Sequence, residues 1–341
     1  MRSIYTGALV LLLAGGGCGR GQRSSGGGAE PAAAPKTAAV VDEARARPVV
    51  SRPGPRRSPA PRTAPRATFA VDKGLDLRVR WGSNRDRRWR NVTYRGSAGD
   101  RVTALFRRVR ARGRYPAVIL GHGHGGDCRS MVQYFGDAFV NQRVHLLAVD
   151  HPFHGHHRRV RGQDICAGDP AKLVRRFARA VRDLRHAVRV LRGHPKVDPG
   201  RIGYLGFSLG AVLGGLLASH EPRLRAAALI SPAGDWPTLA RSNSRWKLGW
   251  KTELLPRWLA HAGRRRLLAT VDPARTIGRF APRPLVVVVG RRDRVIRPES
   301  GVAVHEAAGK GSVLWRHVGG HGPGRRLRRR VAVWLATQLR R

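Results

Sequence analysis

Three residues far apart in the chain have the types and surroundings needed to cleave an ester or amide bond. Ser208 sits in Gly206-Phe207-Ser208-Leu209-Gly210, directly after the apolar run 201–207 and before the apolar stretch 209–219. A serine on a sharp strand-to-helix turn presents its hydroxyl, and small residues must flank it because larger ones would collide with neighbouring strands. Serine is a weak nucleophile at neutral pH, so a base has to accept its proton as it attacks. His321, in the glycine-rich stretch 319–324, offers that imidazole, and Asp293, just past the apolar run 284–290, offers a carboxylate to fix the imidazole tautomer and stabilise the imidazolium. The backbone N–H of Leu209, at a helix N-terminus, is the expected donor to the oxyanion. Asp235, after the preceding apolar run 225–230, stays open as the alternative acid.

These side chains meet only if the intervening elements bring distant loops to one edge. The runs 117–121, 144–150, 201–207, 225–230, 284–290 and 312–318 are compact and apolar, most of them separated by helical stretches. Continuous apolar strands alternating with helices predict a parallel sheet covered on both faces. Segments 75–81 and 102–109 instead alternate apolar with charged residues, as half-solvated antiparallel strands do. The spacing of Leu173, Phe177, Val181, Leu184, Val188 and Leu191 predicts a helix over 170–192 with one buried stripe, and Leu327, Val331, Leu335 and Leu339 predict another over 325–339. Region 235–280 breaks the rhythm, carries Trp236, Trp246, Trp250 and Trp258, and reads as a helical cap over the open end of the sheet or as a surface excursion pinned by its tryptophans.

The order Ser208, Asp293, His321, each beyond the carboxyl end of a strand, resembles the α/β-hydrolases of the esterase type, with most similarity to the dienelactone-hydrolase and acetyl-xylan-esterase-like branches, over about residues 75–341. The resemblance implies an α/β-hydrolase fold, with a mostly parallel central sheet, helices on both faces and a small helical cap insertion. The glycine-rich stretch 121–126, Gly-His-Gly-His-Gly-Gly, resembles the family's histidine-glycine oxyanion loop, which puts the second donor at the backbone N–H of His124. A phosphate-cradling loop is the other use of such glycines, but a P-loop lysine and the dinucleotide glycine spacing are both missing. No cofactor is implied.

His122, His124, His151, His154, His156 and His157 cluster in the sequence and suggest a metal, yet no HExxH arrangement is present. Segment 150–158 resembles the family's D-x-x-G-x-G turn, with Gly155 kept and His154 in place of a glycine. These histidines therefore read as loop residues near the pocket mouth, with no metal ligand among the site residues, and Asp150 as a structural carboxylate.

Length and composition bound the rest. With 341 residues, 41% hydrophobic, the chain can build a large core. It carries a formal charge of +45 from 66 basic residues, of which only seven are lysines. Arginine is spread over almost every segment, without the stripe or aromatic interleaving of a nucleic-acid protein, so no specific nucleic-acid partner is expected. Residues 1–17 have the plan of a secretory signal, too short in apolar length to span a bilayer, and the small residues before Cys18 resemble a bacterial lipoprotein signal; an ordinary cleaved signal is the alternative. Residues 18–70 read as a disordered tether rich in Gly, Pro, Ala and Arg, reaching about 40 Å as a coil, and residues 71–341 as the hydrolase domain. If Cys18 carries lipid, Cys128 and Cys166 remain as an even pair that could bridge or stay as buried thiols.

The expectation is an exported cell-envelope protein, lipid-anchored to a membrane, that cleaves carboxylic esters of small molecules or glycans through Ser208, His321 and Asp293. Two alternatives remain. One is a prolyl-oligopeptidase-like peptidase, disfavoured by the lack of an N-terminal propeller. The other is a non-catalytic basic module gripping envelope polymers, disfavoured by the intact triad and oxyanion loop.

Overall fold

The computed structural model describes residues 69–71, 74–155, 164–166, 168–241 and 254–341. The proposed signal, Cys18, tether residues 19–68, His156, His157, Trp246 and Trp250 lie outside the described residues, whereas Phe69, assigned to the disordered tether from the sequence, is buried in the core and its carbonyl accepts the Arg185 guanidinium.

One nine-stranded sheet organises the described chain. Its strands are β1 (Arg80–Gly82), β2 (Arg90–Arg95), β3 (Arg101–Arg107), β4 (Tyr115–Gly121), β5 (His145–Val149), β6 (Val197–Phe207), β7 (Leu224–Ile230), β8 (Leu285–Gly290) and β9 (Ser312–His317). They lie in the order β1-β2-β3-β5-β4-β6-β7-β8-β9. The first four in that order pair antiparallel, and β5, β4, β6, β7, β8 and β9 run parallel. The alternating segments thus form the antiparallel end and the continuous apolar runs the parallel centre, as their two faces require. Two details differ from the sequence reading. Leu75–Val79 stay outside the ladder, and Leu77 instead accepts the N–H of Arg95 through its carbonyl at 2.6 Å. Strand β2 went unread because arginines bracket its short apolar alternation, with only Val92 and Tyr94 pointing inward.

Along the parallel strands successive residues face opposite sides, so each strand feeds two cores. Ile119, Leu147, Leu229 and Val287 belong to one cluster, with α2 (Pro170–Arg192), α3 (Leu209–His220) and α8 (Pro298–Ala308). Leu120, Leu146, Ala228 and Val288 belong to the other, with α1 (Cys128–Phe135) and α9 (Arg325–Arg340). Helix α2 has the bounds that its stripe predicts. Asp169 caps it by accepting the N–H of Lys172 at 2.8 Å, and Pro170 opens it, where a missing N–H costs nothing.

Between β7 and β8 the described residues form the short α-helices α4 (Trp236–Arg241), α5 (Leu255–Ala260), α6 (Ala262–Ala269) and α7 (Pro273–Thr276). They pack on α2, α3 and α8. Trp236 and Trp258 are buried in the first cluster, and the Trp236 indole N–H donates to the Leu268 carbonyl at 2.9 Å. These two tryptophans are packing residues of the insertion. Among the described residues no helix is long and apolar enough to cross a membrane.

Helix α3 is apolar on all sides because it is enclosed by strands and helices. Its first turn lies directly against the end of β4: a Cβ at Gly210 would fall 2.2 Å from the Gly121 carbonyl oxygen. The Tyr204 hydroxyl, buried below, donates to the Gly210 carbonyl at 2.7 Å. Gly210→Ala therefore forces backbone against backbone. It should lower unfolding stability by about 1–3 kcal/mol or prevent folding, read by urea denaturation against Gly263→Ala, whose added methyl meets open space.

Candidate active site

All the parallel strands end on one edge of the sheet, and the candidate residues occupy the turns there. Ser208 follows β6 by one residue with φ +54° and ψ −118°, a backbone conformation that costs about 1–3 kcal/mol for a residue with a side chain. Its N–H donates to the Ile230 carbonyl on β7 at 2.9 Å, and its own carbonyl accepts the N–H groups of Ala211 and Val212 at 2.8 and 3.1 Å. The turn is thus held from both sides, with the hydroxyl left to the open edge. Leu209 is the first residue of α3, at the end where backbone N–H groups are unpaired within the helix.

The structure brings the three predicted side chains into one line. His321 Nε2 lies 2.9 Å from Ser208 Oγ, and His321 Nδ1 lies 2.8 Å from Asp293 Oδ2. With Nδ1–H donating to the carboxylate, Nε2 is the acceptor for the serine O–H, a tautomer assigned from these partners. Asp293 is buried. Its other oxygen accepts the backbone N–H groups of Val295 and Ile296 at 2.8 and 2.9 Å, which fixes the carboxylate plane toward the imidazole. The loop bearing His321 is tied down at several points. Ser231 donates its hydroxyl to the His321 carbonyl at 2.7 Å, Tyr134 donates to the Pro323 carbonyl at 2.9 Å, and the Phe207 ring packs 5.0 Å from the imidazole. Asp235, the alternative acid, is used elsewhere: its carboxylate accepts the Thr238 hydroxyl and its N–H donates to Asp272.

The stretch 121–126 follows β4 beside the serine. An added Cβ at Gly123 would lie 3.4 Å from Ser208 Cβ. His124, next in the chain, is half-buried, and its Nε2–H donates to both carboxylate oxygens of Asp164, at 2.9 and 3.0 Å.

The histidine cluster differs from the sequence reading. His122, His151 and His154 are buried beneath this loop, with ring centroids 4.2 and 5.0 Å from His122, rather than standing at a pocket mouth. His122 donates from Nδ1 to the Gly123 carbonyl at 2.8 Å and accepts the His151 backbone N–H at Nε2, 3.0 Å away. Both nitrogens are committed, so the ring must stay neutral. Burial first, then repulsion from His154, depresses its pKa to about 4. Asp150 is structural, as expected. It accepts the Cys128 N–H at 2.6 Å and the Thr103 hydroxyl, and it fills the space where a Cβ at Gly155 (φ +58°) would lie 2.1 Å from its Oδ2.

The possible Cys128–Cys166 bridge is not made: both cysteines are buried, and no disulfide joins them. Cys128 opens α1 in one core cluster and Cys166 belongs to the other, so the sheet layers separate them. Burial, with Asp150 nearby, holds the Cys128 thiol protonated, well above its ordinary value. Among the described residues one trio of metal-ligating side chains converges, His124, Asp164 and Cys166, with donor atoms within 4.8 Å of one another. The sequence reading missed it, since Asp164 lies 40 positions beyond His124 and in no recognisable spacing with it.

The fold is that of the α/β-hydrolases. Residues 114–277 match a hydrolase family model described as serine aminopeptidase, S33. Similar solved structures include acetyl xylan esterase 1 of Thermoanaerobacterium sp. (18% identity, TM-score 0.58, covering 77% of this chain and 89% of that one). Others are an acetyl xylan esterase of Paenibacillus sp. (16%, TM-score 0.63, covering 77% and 89%) and a Pyrococcus furiosus esterase (18%, TM-score 0.54, covering 74% and 91%). A polyketide transferase of Stachybotrys chlorohalonatus is 28% identical over 123 residues, which are 36% of this chain and 38% of that protein.

The committed nitrogens of His122 give a sign for the pH dependence of stability. Its pKa is lower folded than unfolded, so the unfolded chain binds the extra proton between about pH 6.5 and 4, and stability falls as pH drops through that window. Asp183 and Asp272, both pushed up to about 6 by burial, act in the opposite sense, so the informative quantity is parent against variant. Urea unfolding at pH 7, 6 and 5 should show a steeper acid loss for the parent than for His122→Asn, by at most about 1.4 kcal/mol per pH unit.

Proposed function

We propose that this chain is a serine hydrolase cleaving carboxylic esters through an acyl-enzyme. The observation that carries the reading is the unbroken line from Ser208 Oγ through His321 to Asp293, standing on a strained turn at the sheet edge. Ser208 Oγ attacks the ester carbonyl while His321 Nε2 takes its proton, and Asp293 stabilises the resulting imidazolium. The negative charge on the former carbonyl oxygen is received by the N–H groups of Leu209 and His124, one at a helix N-terminus and one on the loop after β4. Collapse expels the alcohol, protonated by His321. Water then attacks the acyl-enzyme with His321 as base, releasing the acid and restoring Ser208.

An ester is favoured over a peptide by the esterases that share the fold, and the acetyl xylan esterases among them motivate an acetylated glycan or a small acyl ester as substrate class. The serine aminopeptidase description favours one second reading, cleavage of an N-terminal aminoacyl amide by the same three residues. Both need only Ser208, His321, Asp293 and the two N–H donors; neither requires a cofactor. The apolar run 8–14 followed by small residues and Cys18 supports export and lipid attachment at Cys18, which would place the domain in the bacterial cell envelope at a membrane surface.

Ser208→Ala should abolish labelling by a fluorophosphonate probe and lower p-nitrophenyl acetate hydrolysis by about a thousandfold or more, and Asp293→Asn should lower it by about a hundredfold or more. Labelling that persists on another residue, or no labelling of folded parent, would refute the assignment. An aminoacyl p-nitroanilide cleaved faster than the acetyl ester would turn the reading to the peptidase. For the anchor, cells expressing the full chain should incorporate an alkyne-tagged fatty acid into the parent and not into Cys18→Ser.

A further inference from the structure

We propose that His124, Asp164 and Cys166 form a site for a divalent cation of the zinc class, joining the loop after β4 to the segment before α2. This goes beyond the hydrolase reading and does not depend on it. The three residues each offer one donor atom, an imidazole nitrogen, a carboxylate oxygen and a sulfur, all within 4.8 Å of one another. Around a tetrahedral zinc such atoms stand roughly 3.3–3.6 Å apart, given metal bonds of about 2.0–2.3 Å. The present His124–Asp164 separation of 2.9 Å is that of a hydrogen bond, so an ion enters there once this pair opens by a few tenths of an ångström and the widest donor separation, up to 4.8 Å, closes by about 1 Å.

The donor set selects the ion. Sulfur and imidazole beside a single carboxylate suit zinc and its borderline neighbours and disfavour magnesium and calcium, which demand oxygen. The residues are held on one side for the purpose. The Cys166 backbone N–H donates to Asp164 Oδ1 at 2.8 Å, and the Arg176 guanidinium donates to the Asp164 carbonyl, which fixes the turn carrying both side chains. Cys166 is buried, whereas the side chains of His124 and Asp164 keep 37% and 42% of their exposure, so solvent has a path for ion entry. Proton balance is simple. The thiol releases one proton to solvent as the metal–sulfur bond forms, and the neutral His124 ring moves its proton from Nε2 to Nδ1, leaving Nε2 as ligand. Three protein ligands leave a fourth position for water.

The test uses the full chain carrying Cys18→Ser, so that two thiols remain, stripped with a chelator and kept reduced with a phosphine. Titration with Co²⁺ should give one ion per chain and a near-ultraviolet thiolate-to-cobalt charge-transfer band that Zn²⁺ removes. Cys166→Ser should lose the band and weaken zinc binding by more than about tenfold, while Cys128→Ser keeps both. Because serine at a buried position could disturb folding, the parent supplies a second readout: zinc should protect Cys166 from alkylation, scored by mass spectrometry with Cys128 as internal reference. A missing thiolate band, zinc affinity unchanged in Cys166→Ser, or equal alkylation of Cys166 with and without zinc would each overturn the site. Ser208→Ala should bind zinc as the parent does, which separates failure of this site from failure of the hydrolase reading.

Discussion

The contact between α3 and the ends of β4 and β6 leaves no room for a side chain at Gly210, and the geometry of the active edge follows from that closeness. A helix that starts so near the strand end can begin only through a turn with positive φ, and Ser208 occupies it. The same approach sets the loop after β4 beside the serine, because Gly121 ends that strand under the first turn of α3. The strain at Ser208 is offset by what surrounds it: the N–H anchored on β7, the carbonyl shared by two helical N–H groups, and Tyr204 braced on Gly210 from below.

Charge is managed by separation. A chain of net charge +45 has few acids to spare, and the buried ones are each given a fixed task. Glu221 is fully enclosed, and although burial opposes its ionisation, hydrogen bonds from Arg223 and Arg185 outweigh it and hold the carboxyl below its ordinary value. Asp150 ties β3 to the start of α1, and Asp293 serves His321. Two histidines buried in the fold, by contrast, commit both nitrogens to neutral-ring hydrogen bonds: His122, and His145, which accepts the Val109 N–H and donates to the Lys196 carbonyl. His321 differs from them in kind: its two nitrogens face a carboxylate and a hydroxyl, partners that remain satisfied when the ring gains a proton.

The convergence of Ser208, His321 and Asp293 was legible in the sequence because each sits just past an apolar run, and a parallel sheet sends all such positions to one edge. The bounds of α2 were legible for a similar reason: stripe, cap and proline agree with one another. What escaped reading depended on layers and on long-range approach. The cysteine pair was left open between a bridge and two buried thiols, because the sequence does not say that Cys128 opens a helix on one side of the sheet while Cys166 precedes α2 on the other. The histidines clustered along the chain but divide in space, three beneath the loop and one reaching outward to Asp164. No spacing rule encodes that partnership, since it runs through a loop closed from 40 residues away.

His124 stands where two chemistries meet. Its backbone belongs to the loop beside the nucleophile, and its side chain belongs to the cluster with Asp164 and Cys166. A backbone N–H can act as an oxyanion donor only if it is held still before the charge develops, because reorganising it during the reaction would forfeit the gain. On one side the loop is held by the neutral ring of His122, which binds the Gly123 carbonyl and the His151 N–H. On the other it is held by the grip of Asp164 on the His124 imidazole. The first hold is buried; the second is half-exposed. The loop after β4 thus rests on one buried support and one half-exposed support, which meet at His124.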